Sequence, residues 1–383
     1  MSVKWSIHMS KSLNHKQVVS LIKALGASRT VLVEGEAGIG KTAMLYEFRN
    51  DPAFAGYHII DPIDCTQLSD GSVWMPDIDR ENGISRELPN ERFGVSKSSQ
   101  KGINGSKPLI ICLDEIAKAR QFIKDVLAPI IYERRVGQYH MPEGSIVFGC
   151  TNLSLEGLGD SLQAHLRDRL CIVRMAKPTK DEWVQWASSE RADIAPEVIA
   201  AAHMFPIIFE TFTDYQAGGS QKGKDLRKEN PYIFNPADAG QGKWVTPRSL
   251  HAASDLVKKM DIVDEDVLTV GLEGIIGAPF TAQMMSFIRF GQQLPPFQRV
   301  LDEPKTCPVP TNPTAQLVQV FQFVQQVKDS NQAEAVAVYT QRMKNEMQSL
   351  FVHTVANSTR VDKFVMSKTF TKMMSENRIF FNN

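Results

Sequence analysis

The chain has no surplus of either charge: 43 lysines and arginines face 43 aspartates and glutamates over 383 residues. Without a global field to draw it onto a polyanion or an anionic lipid surface, a nucleic-acid role needs a local basic patch. Long apolar runs are also missing, and "MSVKWSIHMSKSLNHK" at the N-terminus has no apolar h-region. A membrane-spanning helix needs about 18 such residues, so the expectation is a soluble, unprocessed, cytoplasmic protein with no membrane partner. Cysteine is sparse. Cys65, Cys112, Cys150, Cys171 and Cys307 are unevenly spaced, and three of them sit inside apolar strand-like runs, where cysteine acts as a small hydrophobe. That pattern points to a reducing compartment and to neither a disulfide framework nor a zinc site.

What is present is ordinary globular composition, 43% apolar and 22% charged, in a chain long enough for two or three domains. Through the first half, short β-branched runs alternate with longer helical patterns, as in a parallel sheet wrapped by helices. The strand candidates are "TVLVE" (30–34), "YHIIDPID" (57–64), "PLIICLDE" (108–115), "SIVFGCTN" (145–152) and "LCIVRM" (170–175). Residues 65–107 break the rhythm, being polar and rich in Gly, Ser, Asn and Pro, and their length marks a functional insertion. After "KPTKDEW" the strand pattern stops and a helical one takes over. Residues 216–243 carry no periodicity and read as a loop, and the proline cluster at 301–313 reads as a linker to a helical tail. The domains expected are 1–180, with the insertion at about 65–107, then 181–300 and 301–383.

"VLVEGEAGIGKTAML" (31–45) contains Gly-x-x-x-x-Gly-Lys-Thr between a strand and a helix. Glycines let backbone amides turn onto phosphate oxygens, Lys41 places a charge at the outer phosphates, and the Thr42 hydroxyl can ligate magnesium. The nucleotide-binding residues expected are Gly35, Glu36, Ala37, Gly38, Ile39, Gly40, Lys41, Thr42 and Ala43, with ATP and Mg2+ as ligands. "LIICLDEI" ends an apolar strand on two carboxylates. Asp114 would join Thr42 in holding the metal, and Glu115 would polarise an attacking water. A base for water marks a hydrolase, whereas a nucleotide kinase needs an acceptor pocket instead. "FGCTNLS" ends a strand on Asn152, whose amide can bond both water and γ-phosphate, though asparagine is also a common turn former. "AHLRDRLCIV" offers Arg167 and Arg169, either as a finger into a neighbour's nucleotide or as surface arginines paired with Asp168 or Asp160. "KWVTPRSLHAASDL" places Arg248 behind Pro247 at a helix start.

In this order the elements resemble the AAA+ ATPases, and more closely their MoxR-like branch, in which "LDEIAKA", "YERRVG", "YHMPEG", "VFGCTNLS", "HLRDRL" and "VTPRSL" have counterparts. The resemblance covers roughly 12–278. It implies an α/β P-loop domain with a five-stranded parallel sheet of order 5-1-4-3-2, an α-helical lid and a helical C-terminal tail. It also implies Walker A at Gly35 to Thr42, Walker B at Asp114 and Glu115, and sensor 1 at Asn152. The finger falls on Arg169, with Arg167 as rival, and sensor 2 on Arg248. Such proteins act as rings, usually hexamers, and MoxR-like members often serve a von Willebrand factor A domain partner, so a protein client is implied. The insertion corresponds to the helix 2 insert, with Trp74 and Met75 where a pore-facing loop would lie, although Trp74 reads equally well as a packing residue. Arg135 to Gly144 would form the hairpin before sensor 1.

Two departures stand out. Glu36 and Ala37 occupy positions where proline is frequent, and nothing beyond about Ala278 matches the family. A nucleic-acid motor is the alternative, with Lys97, Lys101 and Lys107, or Lys222, Lys224, Arg227 and Lys228, as its basic loops. These are thinly spaced and lack interleaved aromatics. A nucleotide switch without turnover is a third reading, opposed by the intact Glu115.

Overall fold

A computed structural model describes residues 11–69, 71–95, 107–153, 163–212, 229–238 and 240–377, with backbone only at 164, 165 and 377. Lys97, Lys101, Lys222, Lys224, Arg227, Lys228 and Asp160 lie outside the described residues. The chain forms two compact units, Met1–Lys177 and Pro178–Asn383.

In the first unit, helix α1 (His15–Leu25) precedes strand β1 (Val31–Gly35), and α2 (Met44–Asn50) follows the phosphate loop. Strands β2 (His58–Ile59) and β3 (Ile63–Asp64) come next, then a hairpin of β4 (Trp74–Asp79) and β5 (Ile84–Pro89). β6 (Leu109–Asp114) leads to α3 (Gln121–Glu133), and a small hairpin joins β7 (Arg135–Val136) to β8 (Tyr139–His140). β9 (Ile146–Asn152), α4 (Ala164–Arg167) and β10 (Cys171–Arg174) complete the unit. The sheet runs β10-β1-β9-β6-β2, with β3 also on β6, and every pairing in it is parallel.

Alternation of side chains splits these strands between two cores. Leu32, Ile111, Leu113 and Val147 face α3 through Ile123, Leu127, Ile130 and Ile131. Val31, Val33, Ile110, Cys112, Phe148 and Cys150 face the other way, onto Val18 and Ile22 of α1 and Met44 and Phe48 of α2. Burial on both faces is why β1, β6 and β9 read as unbroken apolar runs. The second run is the exception, split into β2 and β3 by Ile60–Pro62, because proline cannot donate to a ladder. All five cysteines are free thiols, and four are buried.

Helix α3 ends at Arg134, which adopts left-handed φ of 53°. Its guanidinium donates to Thr30 Oγ1 (2.9 Å), to the Gly26 carbonyl (2.7 Å) and to the Ile131 carbonyl. One cation thus ties the ends of α1 and α3 to the start of β1. Burial lowers its pKa to about 10, which still leaves it charged. Hydrogen bonds to charged groups contribute about 1.5–3 kcal/mol each, so Arg134→Met is expected to destabilise the first unit by roughly 3 kcal/mol. A melting temperature unchanged in calorimetry would refute this.

The insertion contains ordered structure. β4 and β5 pair antiparallel from Trp74↔Pro89 to Asp79↔Ile84. Trp74 packs against the core that α3 lines, whereas Met75 and Ile78 are 58% and 68% exposed. The smaller hairpin abuts this one. Gly137, at φ 57°, leaves no room for a side chain, since a Cβ there would fall 2.9 Å from Cβ of Glu87.

All the regular elements described in the second unit are helical. α5 (Lys180–Ala187) opens on a Thr179 capping box. α6 (Pro196–Met204), α7 (Pro247–Val257), α8 (Glu265–Ile276), α9 (Ala278–Gln292) and α10 (Phe297–Asp302) follow. α11 (Pro313–Gln326), α12 (Ser330–Thr340), α13 (Asn345–Ala356) and α14 (Lys368–Asn377) complete it. Two apolar cores form here. α11 serves both, giving Leu317, Val318 and Phe321 to one and Val320, Phe323 and Val324 to the other. Among the described residues, no helix is long and apolar enough to cross a membrane.

Candidate nucleotide-binding site

The parallel strands β1, β6 and β9 end side by side, and the motif residues sit at those ends. β1 ends on Gly35, in register with Asn152 at the end of β9, while β6 ends on Asp114, in register with Asp64. Between β1 and α2 the chain makes the phosphate loop. Gly38 and Gly40 hold φ of 75° and 96°, which only glycine adopts without strain. Among the described residues, the amides of Gly38, Ile39, Gly40, Thr42 and Ala43 donate to no other group. Unpaired amides in a tight turn form a concavity suited to phosphate oxygens.

Lys41 is buried, and its Nζ donates to the carbonyls of Gly35 (2.9 Å) and Glu36 (2.7 Å) and to Asn152 Oδ1 (2.7 Å). Thr42 Oγ1 donates to Asp114 Oδ2 at 2.9 Å. A hydroxyl and a carboxylate in contact beside an amide cradle are the donor set for a hard cation such as magnesium. Burial raises the Asp114 pKa from its ordinary value; the Thr42 hydrogen bond opposes the rise and neighbouring Glu115 adds to it. With the hydroxyl and the carboxylate in contact, the residues present fit a divalent ion.

Glu115 leaves the strand in the left-handed region, φ 52° and ψ 33°. In a continuing strand, successive side chains alternate in face. This turn ends the alternation and brings Glu115 to the same site as Asp114. Its Oε1 accepts from Asn152 Nδ2 at 3.0 Å. Its Oε2 lies 3.0 Å from Lys118 Nζ, close enough for an ion pair, but the angles are not those of a hydrogen bond and the oxygen is buried without one. The Asn152 amide thus bridges the phosphate-loop lysine and the candidate base. Sequence reading missed Lys118, and its signal was the three-residue spacing after Glu115 in "DEIAK".

The arginines are placed elsewhere. Arg167 ends α4 and Arg169 precedes β10, whose Cys171 pairs with Val31 at the start of β1. They lie at the opposite end of the strands from the phosphate loop, separated from it by roughly 13 Å of strand. Both are exposed. The Arg169 guanidinium sits 4.2 Å from the centroid of the Tyr132 ring, a cation–π contact within its own chain. The Arg167 amide donates to the Gln163 carbonyl at 3.1 Å, and its side chain is exposed. Arg248 belongs to the second unit, exposed in the first turn of α7 behind Pro247, with Thr246 as cap.

No protein-family model matches the chain, and no curated protein matches it in sequence. Among solved structures it is similar to NtrX from Brucella abortus in complex with ADP, with TM-score 0.37 and 13% identity over 84% of this chain and 64% of that one. It is similar to a RuvB mutant of Thermotoga maritima at TM-score 0.36 and 17% identity, over 77% and 79%. The S. cerevisiae Hsp104-ADP complex gives TM-score 0.32 and 13% identity, over 98% and 49%. The chain thus spans under two thirds of NtrX and about half of Hsp104. All three TM-scores lie below 0.5, so the chemistry rests on the residues at the strand ends.

Proposed function

We propose that this chain hydrolyses ATP as an AAA+ ring ATPase of the MoxR-like kind and uses the turnover to remodel a protein partner. The observation that carries the hydrolase reading is the Asn152 amide, which touches Lys41 on one side and Glu115 on the other beside the Thr42–Asp114 pair. Phosphate binding and water activation then share one rim. The loop amides and Lys41 hold the phosphates, Glu115 accepts the proton of the attacking water, and Asn152 orients that water against the γ-phosphate. Thr42 and Asp114 would hold magnesium, whose charge would stabilise the phosphate oxygens in the transition state.

Assembly into a ring, taken as a hexamer, is supported by the arginines. Since Arg167 and Arg169 lie at the far end of their own strands, a finger at this site has to come from a neighbouring copy. Arg248 is proposed as the sensor 2 arginine on the resemblance of "VTPRSL" to that motif. The client is assigned as a protein, of von Willebrand factor A domain type, on the resemblance of "LDEIAKA", "HLRDRL" and "VTPRSL" to the MoxR-like branch.

The test is phosphate release by the full chain. Release should require Mg2+, stop on chelation and vanish in Lys41→Ala, while light scattering shows a ring-sized species. No release at saturating MgATP sinks the reading. For the client, a Glu115→Gln trap in ATP should retain a protein. Turnover stimulated by DNA and lost with salt would move the assignment to a nucleic-acid motor.

A further inference from the structure

We propose that Lys118 is a positioning residue that restrains Glu115 and sets a low basal rate until the side chain is drawn away. The inference rests on the ATPase reading above and assigns a regulator within the same site.

Both carboxylate oxygens of Glu115 face donors from their own chain. Oε1 accepts from Asn152 Nδ2 at 3.0 Å, and Oε2, buried and without a hydrogen bond, lies 3.0 Å from Lys118 Nζ. A water entering to attack needs one of these oxygens for its proton; Oε2 is buried against the Lys118 ammonium, and Oε1 already accepts from Asn152. The two restraints differ in how they are released. The Asn152 amide is itself held at Oδ1 by Lys41, at 2.7 Å. A γ-phosphate competes for Lys41 as a charged acceptor, so nucleotide binding loosens the amide's grip on Oε1. Lys118 takes no part in that exchange.

Its tether is local: the Lys118 amide donates to the Glu115 carbonyl at 2.9 Å, closing a single 3-10 turn over Ile116–Lys118. Its side chain is 22% exposed, so the ammonium has a route to solvent or to an acidic group on a partner. Lys118 is thus a second restraint on the base, independent of nucleotide and reachable from outside.

Removing the cation while keeping the stem tests this. Lys118→Met is expected to raise kcat for MgATP about fivefold, the factor that corresponds to an ion pair worth about 1 kcal/mol, with KM unchanged. Lys118→Arg, which keeps the cation, should return the rate to that of wild type. Lys118→Gln serves as a second neutral variant should Met fail to fold, and thermal melting checks both. If wild type turns over and neither neutral variant exceeds it, the restraint is overturned while the ATPase reading stands. The restraint is equally overturned if Met and Arg both lower kcat. If wild type and all variants bind MgATP alike yet release no phosphate, the ATPase reading falls and the restraint with it.

Discussion

Glu115→Gln is expected to lower steady-state phosphate release by about 10² to 10⁴-fold, the range that a positioned general base contributes, while nucleotide affinity is retained. Glutamine has the same shape and keeps an oxygen for Asn152 Nδ2, which now bonds Oε1 at 3.0 Å. The phosphate cradle is untouched, because the substitution changes no loop residue and leaves the Lys41 contacts to Gly35, Glu36 and Asn152 in place. What disappears is the carboxylate that takes the proton. Phosphate release and titration with a fluorescent ATP analogue, run side by side, separate the two properties. Equal release by variant and wild type would remove Glu115 from the mechanism, and a matched loss of binding would make its role structural.

The second large effect falls on an arginine. Arg169→Ala is expected to cut turnover by about 10³ to 10⁵-fold, as for other trans-acting arginines on a transferring phosphoryl group, again without loss of nucleotide binding. On the proposed ring this happens across copies, since Arg169 lies beside the start of β10, at the end of the strands away from its own loop. Its cation–π contact with Tyr132, worth about 0.5–1 kcal/mol at an exposed site, holds the guanidinium in place without fixing it there. Two single variants and a mixture decide the matter. Lys41→Ala and Arg169→Ala should each be inactive alone, and mixing them should restore part of the activity, because some interfaces then pair an intact loop with an intact arginine. Failure of the mixture to recover would argue against shared sites. If Arg167→Ala abolishes turnover while Arg169→Ala retains it, the finger is Arg167.

The legible parts of this molecule are those whose residues repeat a physical pattern. β1, β6 and β9 are buried on both faces, so Val31–Val33, Leu109–Leu113 and Ile146–Cys150 read as continuous apolar runs. Gly35 to Thr42, Asp114 and Glu115 are legible because charge and glycine follow such runs directly. Asn152 was legible only by order, and its bridging contacts came from the register that sets it beside Gly35. The β4–β5 hairpin was hidden because "WMPDID" has a proline in it and no wholly buried face, so it lacks both a run and a clean alternation. The Lys118 contact left only its three-residue spacing from Glu115 as a signal, because how far a side chain reaches is set by rotamers and by the left-handed turn at Glu115. The stacking of Arg169 on Tyr132 joins residues from two elements, and composition says nothing of it.

The helix shared by both cores of the second unit governs how that unit comes apart. Residues facing opposite ways on α11 complete two separate apolar interiors, Phe321 in one and Phe323 in the other. Opening either interior strips one face of α11, so the two interiors are coupled through that helix. Loss of packing around α14 is therefore expected to weaken α11 and, through it, the core that α6 lines.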